Sequence, residues 1–223
     1  MDIEHARFNM IEQQIRPWDV LDPAVLSLLA VVRREDFVPS AYRALAFVDT
    51  QVPLGDLSLG QCMLEPRIEA RMLQELQVRR HEKVLEIGSG SGFMAALLGH
   101  RAQHVHTLEC DPDLAVMARA NLRRAGVANV TVREVTAAEG ARGLGAQAPF
   151  DAIVLSGSVS ELPQVLLEQI KIGGRLLAVV GDEPIMRARL FTRSSDAAWS
   201  SVDLFDTLVP RLQGFDSGSR FVF

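Results

Sequence analysis

Apolar positions follow a helical spacing over the first eighty residues and change to short continuous runs after residue 82. Residues 3–16 read as a helix that Pro17 ends, and Asp22-Pro23 opens a second one reaching about Val32. A polar break covers 33–39, and a further short helix covers 40–46. The stretch 48–66 holds two prolines and two glycines and reads as loop. Pro66 then opens a helix with apolar residues at Ile68, Met72, Leu73 and Leu76. From Lys83 the chain alternates: strand 83–87, helix 92–100, strand 104–108, helix 112–125, strand 129–135, strand 151–155, helix 161–170, strand 174–180. Gly126 caps one of these helices, and Gly173-Gly174 turns the last helix into its strand. In the tail, 190–193, 199–210 and 220–223 read as antiparallel or edge strands. The rhythm is that of an α/β fold with a doubly wound, mostly parallel sheet. It divides into a helical segment with a loop, 1–80, and an α/β region, 81–223, in one compact unit.

The chemistry is concentrated where the first strong strand ends. Residues 84–93 read VLEIGSGSGF, with Gly88, Gly90 and Gly92 at alternate positions before a helix-forming stretch. Glycines there let backbone approach a ligand and turn sharply into a helix N-terminus. Glu109 follows Gly88 by 21 positions and ends the neighbouring strand, where a carboxylate bonds a ribose diol. A dinucleotide fingerprint would place its third glycine where this chain has Phe93. That disfavours a pyrophosphate ligand, and with it a dehydrogenase, and suits S-adenosylmethionine. Glu86 is a candidate for the ammonium of that ligand. Ser89 and Cys110 stand beside the glycines and Glu109, and Ser156 follows the fourth strand as a lining residue.

Composition removes other classes. The formal net charge is −5, with no block of Lys and Arg, which argues against a nucleic-acid-binding face. The N-terminus lacks a long apolar run, no stretch approaches membrane-spanning length, and Cys62 and Cys110 form no C-x-x-C. A reducing cytoplasm and no membrane are the expectations. His104 and His106 alternate on a strand but lack a third ligand at suitable spacing, so no metal is expected.

Three segments carry a resemblance. They are RREDFVPSAYRALAFVDTQVPLG (33–55), GQCMLEPRIEARML (60–73) and PFDAIVLSGSVSELPQVLLEQIKIGGRL (149–176), around the glycine turn. Together the chain resembles protein-L-isoaspartate O-methyltransferases; the glycine turn alone is generic to Rossmann-like class I methyltransferases. The resemblance implies methyl transfer from S-adenosylmethionine to a protein or peptide carboxylate exposed by an isoaspartyl linkage, a protein-repair activity. It also implies that Asp49, in D-x-x-x-P-x-G, and the loop residues Gln61, Cys62 and Glu65 lie near the substrate. In the family the loop resembles G-Q-T-I-S-x-P; here Cys62 takes the threonine position and Leu64 the serine position. Leucine cannot hydrogen-bond a carboxylate, and a larger, drier acceptor pocket is expected there. The acceptor therefore stays open between an isoaspartyl peptide and a small molecule, and a non-catalytic cofactor-binding role stands beside both. After the third strand the resemblance implies an acid and a glycine at the adenine. Glu139 and Gly140 fill those places if three residues are inserted, and Thr136 if none is.

Overall fold

The computed structural model describes residues 2–215, so the strand expected at 220–223 lies outside the described residues. Helix α1 (Ile3–Met10) starts at Asp2, whose carboxylate accepts from the N–H groups of Glu4 and His5. The expected single helix 3–16 instead continues as one wider turn, Ile11–Ile15, and a tight turn, Arg16–Trp18. Ile11 and Ile15 are both buried in this arrangement. Helices α2 (Pro23–Val31) and α3 (Pro66–Leu76) each begin with proline in the first turn, where its missing N–H costs nothing. Inside the expected loop, β1 (Val52–Pro53) and β2 (Cys62–Met63) pair as a two-residue antiparallel ribbon.

The main sheet holds β3 (Lys83–Ile87), β4 (His104–Glu109), β5 (Val130–Glu134), β6 (Phe150–Val159), β7 (Ile170–Asp182), β8 (Ile185–Ser195) and β9 (Ala198–Asp206). Helices α4 (Phe93–Arg101), α5 (Pro112–Arg124), α6 (Ala137–Gly140) and α7 (Gln164–Glu168) connect them. The strand order is β5-β4-β3-β6-β7-β8-β9. The first five strands run parallel, while β8 and β9 add an antiparallel hairpin. From β3 the chain winds outward through β4 to β5, then returns to the other side of β3 as β6. That reversal opens a crevice at the carboxyl ends of the central strands.

Alternate residues of β3 serve opposite faces. Val84 joins the core formed with Ile15, Val25, Leu29, Ile68 and Leu97, whereas Leu85 joins Phe150, Ile153, Leu166 and Phe215. The N-terminal helices thus share the first of these cores with the sheet. Arg34, 1% exposed, ties them together. It pairs with Glu69 of α3, donates to the Leu64 carbonyl at 2.8 Å and lies 5.1 Å from the Phe93 ring centroid.

The helix expected at 161–170 shrinks to the five residues of α7, because Pro163 disfavours a helical Leu162 and Ile170 already belongs to β7. Gly173-Gly174 lies within β7 rather than between helix and strand. Strand β6 runs four residues past the expected end, and its register with β7 skips between Val154 and Ser158. This bulge occupies 155–157 at the mouth of the crevice, where a bulge re-aims side chains.

Candidate functional site

The turn after β3 begins the site. The N–H groups of Gly88 and Ser89 donate to the Leu108 carbonyl at 2.9 and 3.2 Å, which fixes the turn against β4. Gly88 and Gly90 have φ of +93° and +50°, the left-handed region that costs glycine nothing. Both line the crevice. Gly92 does a different job: a Cβ there would meet the Ala118 backbone at 3.3 Å, so its small size lets α5 pack against the start of α4. Phe93, 2% exposed, packs edge-on against Phe37.

Glu109 is 5% exposed at the tip of β4. Its carboxylate accepts from the N–H groups of Gly90 at 2.8 Å, Cys110 at 2.9 Å and Asp111 at 3.1 Å. An ionised carboxylate offers about four acceptor positions, so one remains for a ligand hydroxyl. Cys110 also lines the crevice; burial first, then the Glu109 charge, pushes its thiol pKa up.

Glu86 is fully buried and lies behind the crevice wall. It accepts from Thr107 Oγ1 at 2.7 Å and from Ser156 Oγ at 2.8 Å, and Thr107 Oγ1 also meets Ser89 Oγ at 2.6 Å. Burial raises the Glu86 pKa to about 8, against the two hydroxyl bonds, which lower it. Ser156, in the β6 bulge, lines the crevice, so the hydroxyl stands between Glu86 and the open space. Ser89 serves the hydroxyl chain and is not among the lining residues.

The opposite wall comes from the 49–67 loop. Gln61 accepts from Asp56 N at 2.6 Å and donates to Asp111 Oδ2 at 2.8 Å, which pins the loop to the N-terminus of α5. Gln61 and Cys62 line the crevice. Burial, with Glu65 and Glu69 adding to it, pushes the Cys62 pKa up to about 12. Asp49 pairs with Arg67, whose guanidinium lies 4.3 Å from the Trp18 ring centroid. Glu65 accepts from Gln51 Nε2 at 3.4 Å. Asp49 and Glu65 each keep one buried carboxylate oxygen without a partner, yet neither is brought to the crevice.

Two expectations are corrected here. Leu64 enlarges no acceptor pocket: it is 5% exposed and sits in the core beside Met63 and Ile68. Glu139 is turned away from the crevice. Its carboxylate accepts from Thr136 N at 2.7 Å and Thr136 Oγ1 at 2.8 Å, while its own N–H donates to Thr136 Oγ1. This capping box starts α6 and leaves both side chains exposed; the backbone bond from Thr136, then its hydroxyl, lowers the Glu139 pKa. Gly140, by contrast, does line the crevice. The spacing T-A-A-E is a helix-start signature, and it was available in the sequence.

Sequence reasoning missed the fourth wall. After β9 the chain returns over the carboxyl ends of β6 and β7 as a strap. Ser158 N donates to the Pro210 carbonyl at 2.8 Å, Leu212 N to the Ser158 carbonyl at 3.0 Å, and Ser158 Oγ to the Val209 carbonyl at 2.9 Å. The Leu212 side chain packs on Gly88 and Gly157, where a Cβ would come within 2.9 and 2.8 Å of it. Nothing in the pattern of 207–213 announces this placement, which depends on the length of the β8–β9 hairpin.

The walls border one cleft at the carboxyl ends of the central strands. Ile87, Leu108, Leu114 and Val135 supply apolar surface beside the Glu109 carboxylate. Arg211 is the one cationic residue lining it among the described residues, and it is already paired with Asp182. A pyrophosphate would find no free cationic clamp there, whereas a carboxylate beside apolar surface suits an adenosine that carries no phosphate. This fold, with this crevice, is that of a Rossmann-like class I methyltransferase.

The comparisons narrow the class. The family model for protein-L-isoaspartate(D-aspartate) O-methyltransferase matches residues 6–209. The chain is 42% identical to a protein-L-isoaspartate O-methyltransferase of Methanoculleus marisnigri, over 78% of this chain and 77% of that one. It is 40% identical to another from Rhodopseudomonas palustris, over 91% of each. A solved protein-L-isoaspartate O-methyltransferase superposes with TM-score 0.77 at 21% identity, covering 94% of this chain and 67% of the other. A second, from Plasmodium falciparum in complex with S-adenosyl-L-homocysteine, gives 0.76 at 20% identity over 96% and 99%. The chain belongs to the protein-L-isoaspartate(D-aspartate) O-methyltransferase family. Among the described residues no helix is long and apolar enough to cross a membrane.

Proposed function

We propose that this protein transfers a methyl group from S-adenosylmethionine to the carboxylate exposed by an isoaspartyl linkage in a peptide or protein. The observation that carries the reading is the extent of the family match, residues 6–209, a span that includes the loop, the glycine turn, Glu109 and Ser156. S-adenosylmethionine supplies a methyl group activated by its positive sulfur and leaves as S-adenosylhomocysteine. Glu109 would hold the ribose diol with its remaining acceptor capacity, Gly88 and Gly90 would pass backbone close to the ligand, and Ser156, whose hydroxyl donates to Glu86, would offer its oxygen lone pairs to the ammonium. The acceptor is a carboxylate, ionised at neutral pH, so no general base is required. What the chain supplies is position and dryness. Gln61 pins the loop, Leu212 closes the opposite side, and the acceptor oxygen meets the methyl carbon with water excluded. The methyl ester formed can then close to a succinimide, whose hydrolysis returns some normal aspartyl linkage.

Leu64 supports a second reading, a different acceptor, because the core position of its side chain leaves the family's serine role vacant on this loop. The two free thiols fit a reducing, cytoplasmic setting. The test is methyl incorporation from labelled S-adenosylmethionine into an isoaspartyl peptide and its aspartyl isomer. Incorporation specific to the isoaspartyl isomer is expected. Its absence, in protein that binds S-adenosylhomocysteine, overturns isoaspartyl transfer and leaves the second reading.

A further inference from the structure

The cleft and an adjoining groove share a wall. Leu59, Gly60 and the strap residues Arg211, Leu212 and Gln213 line both, and the groove continues past Leu57 and Leu208. Arg211 is the one cationic residue lining either space among the described residues. Its position is fixed from several sides. The backbone bridges to Ser158, and the Arg211 carbonyl sits where a Cβ on Gly60 would come within 2.9 Å. Nη2 donates to the Gly181 carbonyl at 2.9 Å and to Asp182 Oδ1 at 2.7 Å. Nη1 is buried and has no acceptor. A buried, unpartnered donor on a charged group is costly unless something supplies the acceptor.

We propose that Arg211 is the acceptor-recognition residue of this enzyme, and that its Nη1 takes one oxygen of the acceptor carboxylate at the junction of cleft and groove. The inference rests on the methyl-transfer reading and assigns the carboxylate-binding role that Leu64 does not fill. The bonding state of the guanidinium matters. A free arginine fork grips both oxygens of a carboxylate and leaves neither to react. Here both Nη2 protons are engaged by Gly181 and Asp182, so the contact is single. One oxygen is held by Nη1, and the other keeps its lone pairs for the methyl carbon. That second oxygen forms the new C–O bond as the carbon–sulfur bond breaks, with the electron pair passing to sulfur. Nη1 is closed off by its surroundings, so acceptor entry requires a neighbouring side chain to move.

The test compares wild type, Arg211→Gln, Arg211→Lys and Asp182→Asn with an isoaspartyl peptide. Peptide affinity is measured by calorimetry on protein saturated with S-adenosylhomocysteine, and KM and kcat by labelled methyl transfer. Arg211→Gln is expected to raise the peptide Kd and KM by about tenfold or more, the value of a charge-assisted bond, and to raise the S-adenosylhomocysteine Kd by much less. Arg211→Lys, which keeps the charge, recovers part of the loss. Asp182→Asn, which loosens the tether but keeps the guanidinium, changes KM much less. If Arg211→Gln leaves the peptide Kd and KM at wild-type values, or if Asp182→Asn matches it, Arg211 is structural and the proposal fails. Should Arg211→Gln not fold, Arg211→Lys and Asp182→Asn decide: equal KM increases in both overturn the proposal. Absence of transfer by wild type that binds S-adenosylhomocysteine is a separate outcome. It removes the isoaspartyl reading, and the Arg211 inference with it.

Discussion

Replacing Glu109 by glutamine is the most direct test of how the cleft is built. The carboxylate satisfies three backbone N–H groups, at Gly90, Cys110 and Asp111. Glutamine has one acceptor oxygen. Its better orientation keeps the Cys110 and Asp111 bonds and turns the amide NH2 toward the Gly90 N–H, donor against donor. The loss is one charge-assisted bond, with a part-buried donor left unpaired, or about 1.5–3 kcal/mol. For a chain of this size that lowers Tm by roughly 3 to 12 °C. The same change removes the charge offered to a ribose hydroxyl and frees the glycine turn. The Kd for S-adenosylhomocysteine should therefore rise about tenfold or more. Thermal unfolding with and without S-adenosylhomocysteine, together with calorimetric titration, reads both quantities. A Glu109→Gln protein with wild-type Tm and wild-type Kd would refute the assignment of the turn to this carboxylate.

Four other outcomes follow from three particular environments. Glu86 titrates near 4.5 when unfolded and about 8 when folded, so the native state holds an extra proton between those values. Its contribution to stability is complete below the lower value and lost as pH rises through the higher; Glu86→Gln should flatten that decline in denaturation curves collected across the window, and an identical slope in both proteins counts against it. If Ser156 bridges Glu86 and an ammonium, S-adenosylhomocysteine affinity also climbs with pH toward about 8 in wild type but not in Glu86→Gln. Leu64→Ser, intended to restore the family residue, should cost about 2–5 kcal/mol of stability and gain no transfer, because the side chain is in the core; a higher isoaspartyl turnover would contradict that placement. Cys62, with its pKa pushed up to about 12, should react with iodoacetamide at mildly alkaline pH far more slowly than a free thiol, and rapid labelling seen by mass spectrometry would show the loop to be open.

The parts of the fold legible in the sequence were those whose signal is local and repeated. From Lys83 to about Val135 each strand is a short apolar run closed by glycine, proline or an acid, so elements and boundaries agree with the structure to within a few residues. The position of Glu109 and the first two glycines on the crevice wall was legible for the same reason. What failed was non-local. A two-residue ribbon such as Val52–Pro53 with Cys62–Met63 has no periodicity to read. The inward or outward sense of Leu64 depends on how α3 and Arg34 pack around it. Glu139 was a local signal misread, since its partner lies three residues back in a capping box rather than across the cleft. Arg211 and Leu212 reach the site only because the hairpin before them is long enough to bring the chain back over β6.

That strap bears on when the protein becomes competent during synthesis. Three of the four walls are complete once β6 has emerged, but the wall over Gly88 and Gly157 waits for residues 210–213. A nascent chain therefore lacks a closed cofactor site until its whole sheet has been made. Stabilisation by ligand, which requires a state that binds it, reaches only molecules that have passed that point. Unfinished or prematurely ended chains would stay outside the reach of the cofactor, distinguishable from finished ones by a proteolytic sensitivity that S-adenosylhomocysteine does not relieve.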